Sequence, residues 1–583
     1  MPLKYDVADE LETYANLLEA DGVEYKPNVY RRAVESIREY PGSIEALAEQ
    51  GEDALQQLDD VGDAISSKIV EFYETGEIVE VEEMRERYPV DMRALLRVEG
   101  VGPKTIGTLY EELGVTDLDD LEAVAVDGEI QDVKGFGPKT EGNIRENIPF
   151  ARKAGQRELL GAARPVAETV RAWVSERDTV ENAEVAGSTR RWRPTIGDVD
   201  VLAASDDRES VIEAFADWEA ADSVIEAGAQ KASVRVDGMR VDLRVVVPRE
   251  FGSALQYFTG SKDHNVTLRN YAIEQRVKLN EYGAFDVSDA PDPEDGQRVG
   301  GRIGGLTEES MYEALGLPWV PPELREGRGE VQAAIDDDLP ELLVTADVRG
   351  DLHTHTDASD GKNSVREMVE GAREFGHEYV AITDHATGPG VVGGMGVPDD
   401  ELLELAEAVR SVDEAVDDVT AFAGVEANVD AGGGLSVADD VLAALDVVVA
   451  SPHSDLDLTG DDAVDRLTTA MEHPSVDVLG HPTGRLLNQR EGMDVDANRL
   501  AETAASEGVA LEVNANPSRL DLSGSAVQAA VDAGARVAID TDAHRPGAFE
   551  NVVYGVHTAR RGWAEPADVV NTYDVDALRD FLE

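Results

Sequence analysis

Two groups of residues in this 583-residue chain have the side chains and spacings that phosphoryl-transfer chemistry needs. In the first, Glu184-Val-Ala-Gly187-Ser188-Thr-Arg190-Arg191 is followed closely by Ile196-Gly197-Asp198-Val-Asp200-Val-Leu. Residues two apart in a strand share a face, so Asp198 and Asp200 can bridge two divalent cations. Further on, Lys231-Ala-Ser-Val-Arg-Val and Met239-Arg240-Val-Asp242-Leu-Arg244 read as strands joined by Asp237-Gly238, a tight-hairpin signal, and the second strand presents Asp242 as a third carboxylate. Three carboxylates beside a Gly-Ser turn are the parts of a two-metal site. Asp198 and Asp200 would bind both metals, and Asp242 would hold the metal nearer the attacking hydroxyl and accept its proton. Gly187, Ser188 and Arg191 would meet the phosphates.

The second group is spread along the C-terminal part. Seven short apolar runs end in potential ligands: Asp351-Leu-His353-Thr-His355, Val380-Ala-Ile-Thr-Asp384-His385, Phe422-Ala-Gly-Val-Glu426, Val447-Val-Val-Ala-Ser-Pro-His453, Val478-Leu-Gly-His481, Leu511-Glu-Val-Asn514 and Val537-Ala-Ile-Asp540-Thr-Asp542-Ala-His544. Helical stretches alternate with them, so the pattern predicts a seven-strand βα barrel with its site at the C-terminal strand ends. The candidate metal set is His353, His355, Asp360, His385, Glu426, His453, His481, Asp542 and His544. It takes six of the ten histidines, and its nitrogen and oxygen donors suit Zn²⁺, Mn²⁺ or Fe²⁺. His264, His377, His473 and His557 fall outside it and read as structural or surface residues.

Nucleic acid is the substrate class that the N-terminal part suggests. Leu58-Asp-Asp-Val-Gly62, Val98-Glu-Gly100-Val-Gly102-Pro-Lys104-Thr and Val133-Lys-Gly135-Phe-Gly137-Pro-Lys139-Thr repeat one helix-hairpin-helix pattern, whose backbone amides and helix N-terminus point at a phosphate. Such a hairpin needs few basic side chains. That suits a chain with 120 acidic and 52 basic residues and a formal charge of −68. The acidic residues are spread throughout, apolar periodicity persists, and the balance reads as adaptation to a salt-rich cytoplasm, where 1 M salt screens charge within about 3 Å. The absence of cysteine excludes disulfides, thiolate metal sites and a cysteine nucleophile. No membrane span or leader pattern is legible, so a soluble, cytoplasmic, monomeric protein is expected.

Most of residues 1 to 335 resemble the family X, or polymerase β-like, DNA polymerases. The resemblance implies helical N-terminal domains at 1–82 and 83–152, an α+β nucleotidyltransferase palm at 153–250 and a nucleotide-selection subdomain at 251–335. Leu255-Gln-Tyr257-Phe258-Thr-Gly260-Ser-Lys-Asp-His-Asn265-Val-Thr-Leu-Arg269 resembles the family's nucleotide-binding region. By that match Tyr257 and Phe258 line the sugar pocket beside Gly260, Asn265 touches the base edge and Arg269 approaches the template. Lys262 and His264 depart from the vertebrate pattern. Lys26-Pro-Asn-Val-Tyr30 matches the DNA-end-binding segment, and Lys68 stands where the family has a Schiff-base lysine. Ala64 replaces a second lysine of lyase-competent relatives.

After a Pro-rich, acidic connector (Pro318 to Pro340, with 336–344 as the linker), residues 345–583 resemble the PHP phosphoesterases, whose metal ligands the nine positions match. That likeness implies up to three metals and a substrate phosphate held by Arg519. The multidomain whole predicts a gap-filling polymerase acting on gapped or nicked DNA and dNTPs with Mg²⁺ or Mn²⁺. It also predicts 3′→5′ exonuclease or 3′-phosphoesterase activity in the PHP domain, with 5′-dRP lyase or AP endonuclease activity as further expectations.

Overall fold

Apolar residues spaced three and four apart wind the first 150 residues into helices, among them Leu3–Ala20, Lys26–Glu39, Asp63–Thr75, Pro103–Leu113 and Pro138–Ala154. The computed structural model describes residues 3–583 except 24, 40–43, 59, 97, 99–100, 155–156, 294–295, 389–394, 457 and 488–491, and for some helical residues, Lys139 among them, only the backbone. The helices enclose one core that includes Leu11, Tyr30, Ile37, Ile69, Ile106, Leu109 and Ile144. One compact unit comprises Met1–Arg157 with Val266–Tyr271, and a second comprises Glu158–Asn265 with Ala272–Glu583.

After the helix Leu160–Ser175, the second unit builds a five-stranded sheet in the spatial order Asn182–Val185, Val199–Ala204, Met239–Val246, Lys231–Val236, Ser223–Ala227. Val199–Ala204 and Met239–Val246 run parallel, and the other neighbours are antiparallel. The Asp237-Gly238 turn closes the predicted hairpin with Val236 opposite Met239, both turn residues having the positive φ that a primed turn requires (50° and 77°). Helices Phe251–Thr259 and Lys262–Glu274 follow, then an antiparallel sheet of Val277–Asn280, Gly283–Asp286 and Gly301–Gly304.

The connector is partly packed. Between Pro318 and Pro340, Glu323, Arg325 and Glu330 are buried, and Leu343 in the expected linker is buried too. Several of its buried charges find partners elsewhere in the chain: Arg325 donates to Glu308 at 2.6 Å, and Glu323 accepts from Arg560 at 2.8 Å. Paired charges let part of an acidic, Pro-rich segment pack.

The barrel forms as predicted. Seven parallel strands, Gly350–Asp351, Tyr379–Ile382, Thr420–Asn428, Val447–Ser451, Val478–Leu479, Ala510–Asn514 and Arg536–Asp540, pair in sequence order. A bridge between Thr354 and Ala543 joins the first strand's end to the last's. Strands covered on both faces are largely apolar, and Val447–Ser451 and Ala510–Asn514 are buried at every position, the polar Ser451, Glu512 and Asn514 included.

Two candidate metal centres

Strand pairing assembles the three carboxylates of the five-stranded sheet. Asp200 and Asp242 are direct partners in the parallel register, Asp198 lies two residues before Asp200, and their oxygens come within 4.8 Å of one another. Burial, and then the charges of Asp198 and Asp242, push Asp200 up to about 7. Burial also works against ionised Asp242, but hydrogen bonds from Arg240 (2.9 Å) and Lys231 (2.5 Å) hold it below the usual carboxylate range. Gly187 is fixed by its surroundings: its φ is +60°, and a Cβ there would lie 2.1 Å from Asp200 Oδ2. A crowded, repelling carboxylate set with a glycine cradle against it fits divalent cations.

Ser188 is half-buried in the short helix Gly187–Arg190. Arg191 is more committed than the sequence suggests, since Nε pairs with Glu326 at 3.1 Å and Nη1 donates to the Thr259 carbonyl. Arg190 makes a two-point contact with Glu308 at 2.6 and 2.8 Å. Beyond this cluster, Tyr257 is exposed, Phe258 packs edge-on to it at 5.1 Å, and Arg244 lies 4.3 Å over the Phe258 ring. Gly260 has φ +69°, and Asn265 is braced by Gln256 (2.8 Å) and the Tyr257 carbonyl (2.7 Å). Arg269 is exposed. His264 is a core residue held by Glu330 at 2.7 Å and Tyr312 at 2.9 Å.

In the N-terminal unit, Gly62 and Gly102 begin their helices with nearly the same backbone (φ −97° in both), no side-chain cap, and open space where a Cβ would sit. Gly135 and Gly137 face open space likewise, and Lys104 is exposed. Uncapped N–H groups before open space suit a phosphate. Gly100 lies outside the described residues, as does the Lys139 side chain. Lys26, Tyr30 and Lys68 gather around Tyr14: Lys26 Nζ is 5.4 Å and Lys68 Nζ 5.5 Å from its ring centroid, and Tyr30 meets it edge-on at 5.0 Å. The buried Lys68 amine pairs with Glu80 at 2.8 Å, a partner the sequence did not reveal.

All nine barrel residues converge. His355, Asp360, His385 and His544 form one group, His353, His355 and Asp542 a second, and His385, Glu426 and His453 a third, each with donor atoms within 4.8 Å. His481 Nε2 stands 3.0 Å from Glu426. His353 Nε2, both nitrogens of His355, His453 Nε2 and His481 Nδ1 are buried without a hydrogen-bond partner. Unpartnered imidazole nitrogens facing carboxylates are what a metal would satisfy. His481 and Asp542 also adopt positive φ (24° and 53°), a cost that the surrounding structure sustains. Arg519 Nε lies 3.7 Å from Asp542.

Sequence reasoning missed the groups that aim these ligands. Glu512 is buried, and burial pushes it up to about 7 even though His353 Nδ1 lies 2.7 Å away. Asn428 Oδ1 faces His453 Nδ1 at 2.7 Å. Partners of this kind fix which ring nitrogen is left for a metal. The alternation in Leu511-Glu-Val-Asn514 could have flagged Glu512, which shares a face with Asn514. Of the remaining histidines, His377 packs against Phe375 and Phe549, His473 lies 3.6 Å from Asp439, and His557 stacks on Trp192 at 3.6 Å.

Comparison with known families agrees with this layout. Residues 3–78 match a helix-hairpin-helix domain and 92–148 a SAM-like helix-hairpin-helix tandem. Residues 254–326 match the DNA polymerase beta thumb and 351–516 the PHP domain. A DNA polymerase/3′-5′ exonuclease PolX of Bacillus subtilis is 33% identical over 585 residues, covering 100% of this chain and 99% of the relative. A protein described as a probable phosphatase from Caldanaerobacter subterraneus is 29% identical over 40% of this chain and 90% of its own length. DNA polymerase lambda of Arabidopsis thaliana is 25% identical over 53% of this chain and 60% of its own length.

Proposed function

Because the chain belongs to the PolX family, the family X DNA polymerases that carry a PHP domain, we propose that it fills short gaps in DNA during base excision repair and processes the 3′ ends it extends. The observation that carries this reading is the register that sets Asp242 beside Asp200 and gathers three carboxylates within 4.8 Å. Mg²⁺ or Mn²⁺ bound there would activate the primer 3′-hydroxyl and offset the charge of the dNTP triphosphate. Asp198 and Asp200 would hold the cations, and Asp242, kept ionised by Arg240 and Lys231, would be a further ligand and accept the proton of the hydroxyl. Gly187 and Ser188 approach the phosphates, with Arg191 braced by Glu326 behind them. Tyr257, Phe258, Gly260, Asn265 and Arg269 receive sugar, base and template. The hairpins at Gly102 and Gly137 and the Lys26, Tyr30 and Lys68 cluster grip the DNA backbone.

In the barrel, up to three Zn²⁺, Mn²⁺ or Fe²⁺ ions would supply Lewis-acid activation of water and phosphate for 3′→5′ exonuclease or 3′-phosphatase chemistry and for AP-site cleavage. Glu512 and Asn428 orient His353 and His453, and Arg519 neutralises the substrate phosphate. Lys68 is the amine we assign to dRP lyase chemistry, and Glu80, which pairs with it at 2.8 Å, would release it when substrate arrives. The acidic composition suits a salt-rich cytoplasm, with the chain acting as a monomer. Among the described residues no helix is long and apolar enough to cross a membrane.

The test is end-labelled gapped DNA incubated with the full chain across a KCl series, together with metal analysis. Extension with dNTPs, trimming without them, and activity rising with KCl while DNA affinity falls are the expected results. A folded, DNA-binding chain that adds no nucleotide would overturn the reading. Borohydride should trap Lys68 on 5′-abasic DNA, more strongly in Glu80→Gln, and no adduct would remove the lyase assignment.

A further inference from the structure

In a chain with 120 acidic and 52 basic residues, a cavity walled by arginines stands out. Where the five-stranded-sheet half meets the barrel, a cavity of about 300 Å³ is lined by Arg193, Arg328, Arg485 and Arg561, with Ser523 and Ser525 at one side. None of these residues belongs to either metal set. Glu326 is the one carboxylate among the described residues of the wall, and it is already shared by Arg193 (2.7 Å), Arg561 (2.9 Å) and Arg191 (3.1 Å).

The other guanidiniums rest largely on neutral oxygens. Arg485 donates from Nε to the Arg519 carbonyl at 2.9 Å and from Nη2 to the Leu520 carbonyl, with Asp521 as the nearby charge. Arg328 donates from Nη2 to the Arg561 carbonyl, while its buried Nε has no partner. Burial pushes the pKa of Arg328, Arg485 and Arg561 downward, as expected where positive charge lacks enough counter-charge. The ten-residue helix Gly524–Ala533 begins at the same wall with Ser523 as its cap, adding the partial positive charge of a helix N-terminus.

We propose that this cavity is a phosphate-binding site on the seam between the two catalytic halves. Guanidinium forks from both halves and a helix start match a tetrahedral dianion or a phosphodiester. The phosphate has two candidate sources: a backbone phosphate of bound DNA, or free inorganic phosphate. The wall residue Leu520 follows Arg519, whose Nε is 3.7 Å from Asp542, so the cavity adjoins the barrel site. A strand anchored here would be held beside that site through its backbone, without base contacts.

Two variants of the full chain test the site. Ser525→Asp leaves every arginine in place and sets a carboxylate in the cavity wall, at an exposed helix-start position where Asp is well tolerated. Adding Arg193→Gln, whose side chain is 44% exposed, removes one guanidinium. Each protein is titrated with end-labelled gapped DNA over a KCl series, and its unfolding midpoint is measured with and without inorganic phosphate at constant ionic strength. A DNA source predicts affinity about ten-fold weaker in the double variant and a slope of log K against log salt shallower by about one. A free-phosphate source predicts unchanged DNA binding, with stabilisation by phosphate in the parent chain that both variants lose. Folded variants that match the parent in both measurements overturn the proposal.

Discussion

The two candidate metal centres differ in depth and in how far their residues are already partnered. The sheet site is shallow: three carboxylates come from two adjacent strands, Asp198 is exposed, and Lys231 and Arg240 already partner Asp242. The barrel site is deep, built from nine residues reaching in from six of the seven strand ends, with several imidazole nitrogens left unpartnered. The first arrangement suits cations that arrive and leave with a nucleotide. The second suits metals that stay, because several desolvated ring nitrogens have no hydrogen-bond partner.

The largest expected effect separates the two chemistries. Asp198→Ala with Asp200→Ala should reduce nucleotide addition by on the order of 10³-fold or more while 3′ trimming continues, and His353→Ala with His355→Ala should do the reverse. Loss of trimming in the first variant, folded and DNA-binding, would mean that trimming is reversal of polymerisation and that the barrel is structural.

Gly187→Ala should follow, with a loss of polymerisation of roughly 10²-fold, because a Cβ 2.1 Å from Asp200 Oδ2 must displace that ligand. Exonuclease assays on the same protein should be unchanged. Parent-like extension kinetics would show that the cradle is slack.

Retention distinguishes the centres next. After dialysis into metal-free buffer, elemental analysis should find metal in the parent chain and much less in the His353 and His355 double variant, whereas Asp198→Ala should not alter the content. The retained metal should also raise the unfolding midpoint by several degrees. A parent chain that emerges empty would sink the contrast drawn above.

The smallest effect concerns the seam that holds the halves together. Burial pushes the Glu323 carboxyl up, yet His557 and Arg560, at 2.7 and 2.8 Å, hold it at about 2. A depressed carboxylate adds stability above its unfolded pKa of about 4.5, and that stability is lost as pH falls towards 2. Glu323→Gln should therefore lower the unfolding midpoint at pH 6, and the gap from the parent should narrow steadily below pH 4.5. A constant gap across that range would assign the effect to packing instead.

Much of this was legible in sequence because it is periodic or local. Asp-x-Asp on one strand face, the Asp237-Gly238 turn, apolar runs ending in ligands and glycines before helices are statements about neighbours in the chain, where backbone geometry alone decides the outcome. Tertiary structure decided what no period encodes. Parallel pairing set Asp242 opposite Asp200, Glu326 drew Arg191 into an ion cluster, Glu512 came to lie under His353, and Glu323, Arg325 and Glu330 became buried within the connector. Arg193, Arg328, Arg485 and Arg561 are far apart in the chain and share one cavity only after folding. Charge pairing across such distances is set by which surfaces meet, and the energy that fixes it comes from burying groups that in the unfolded chain face water.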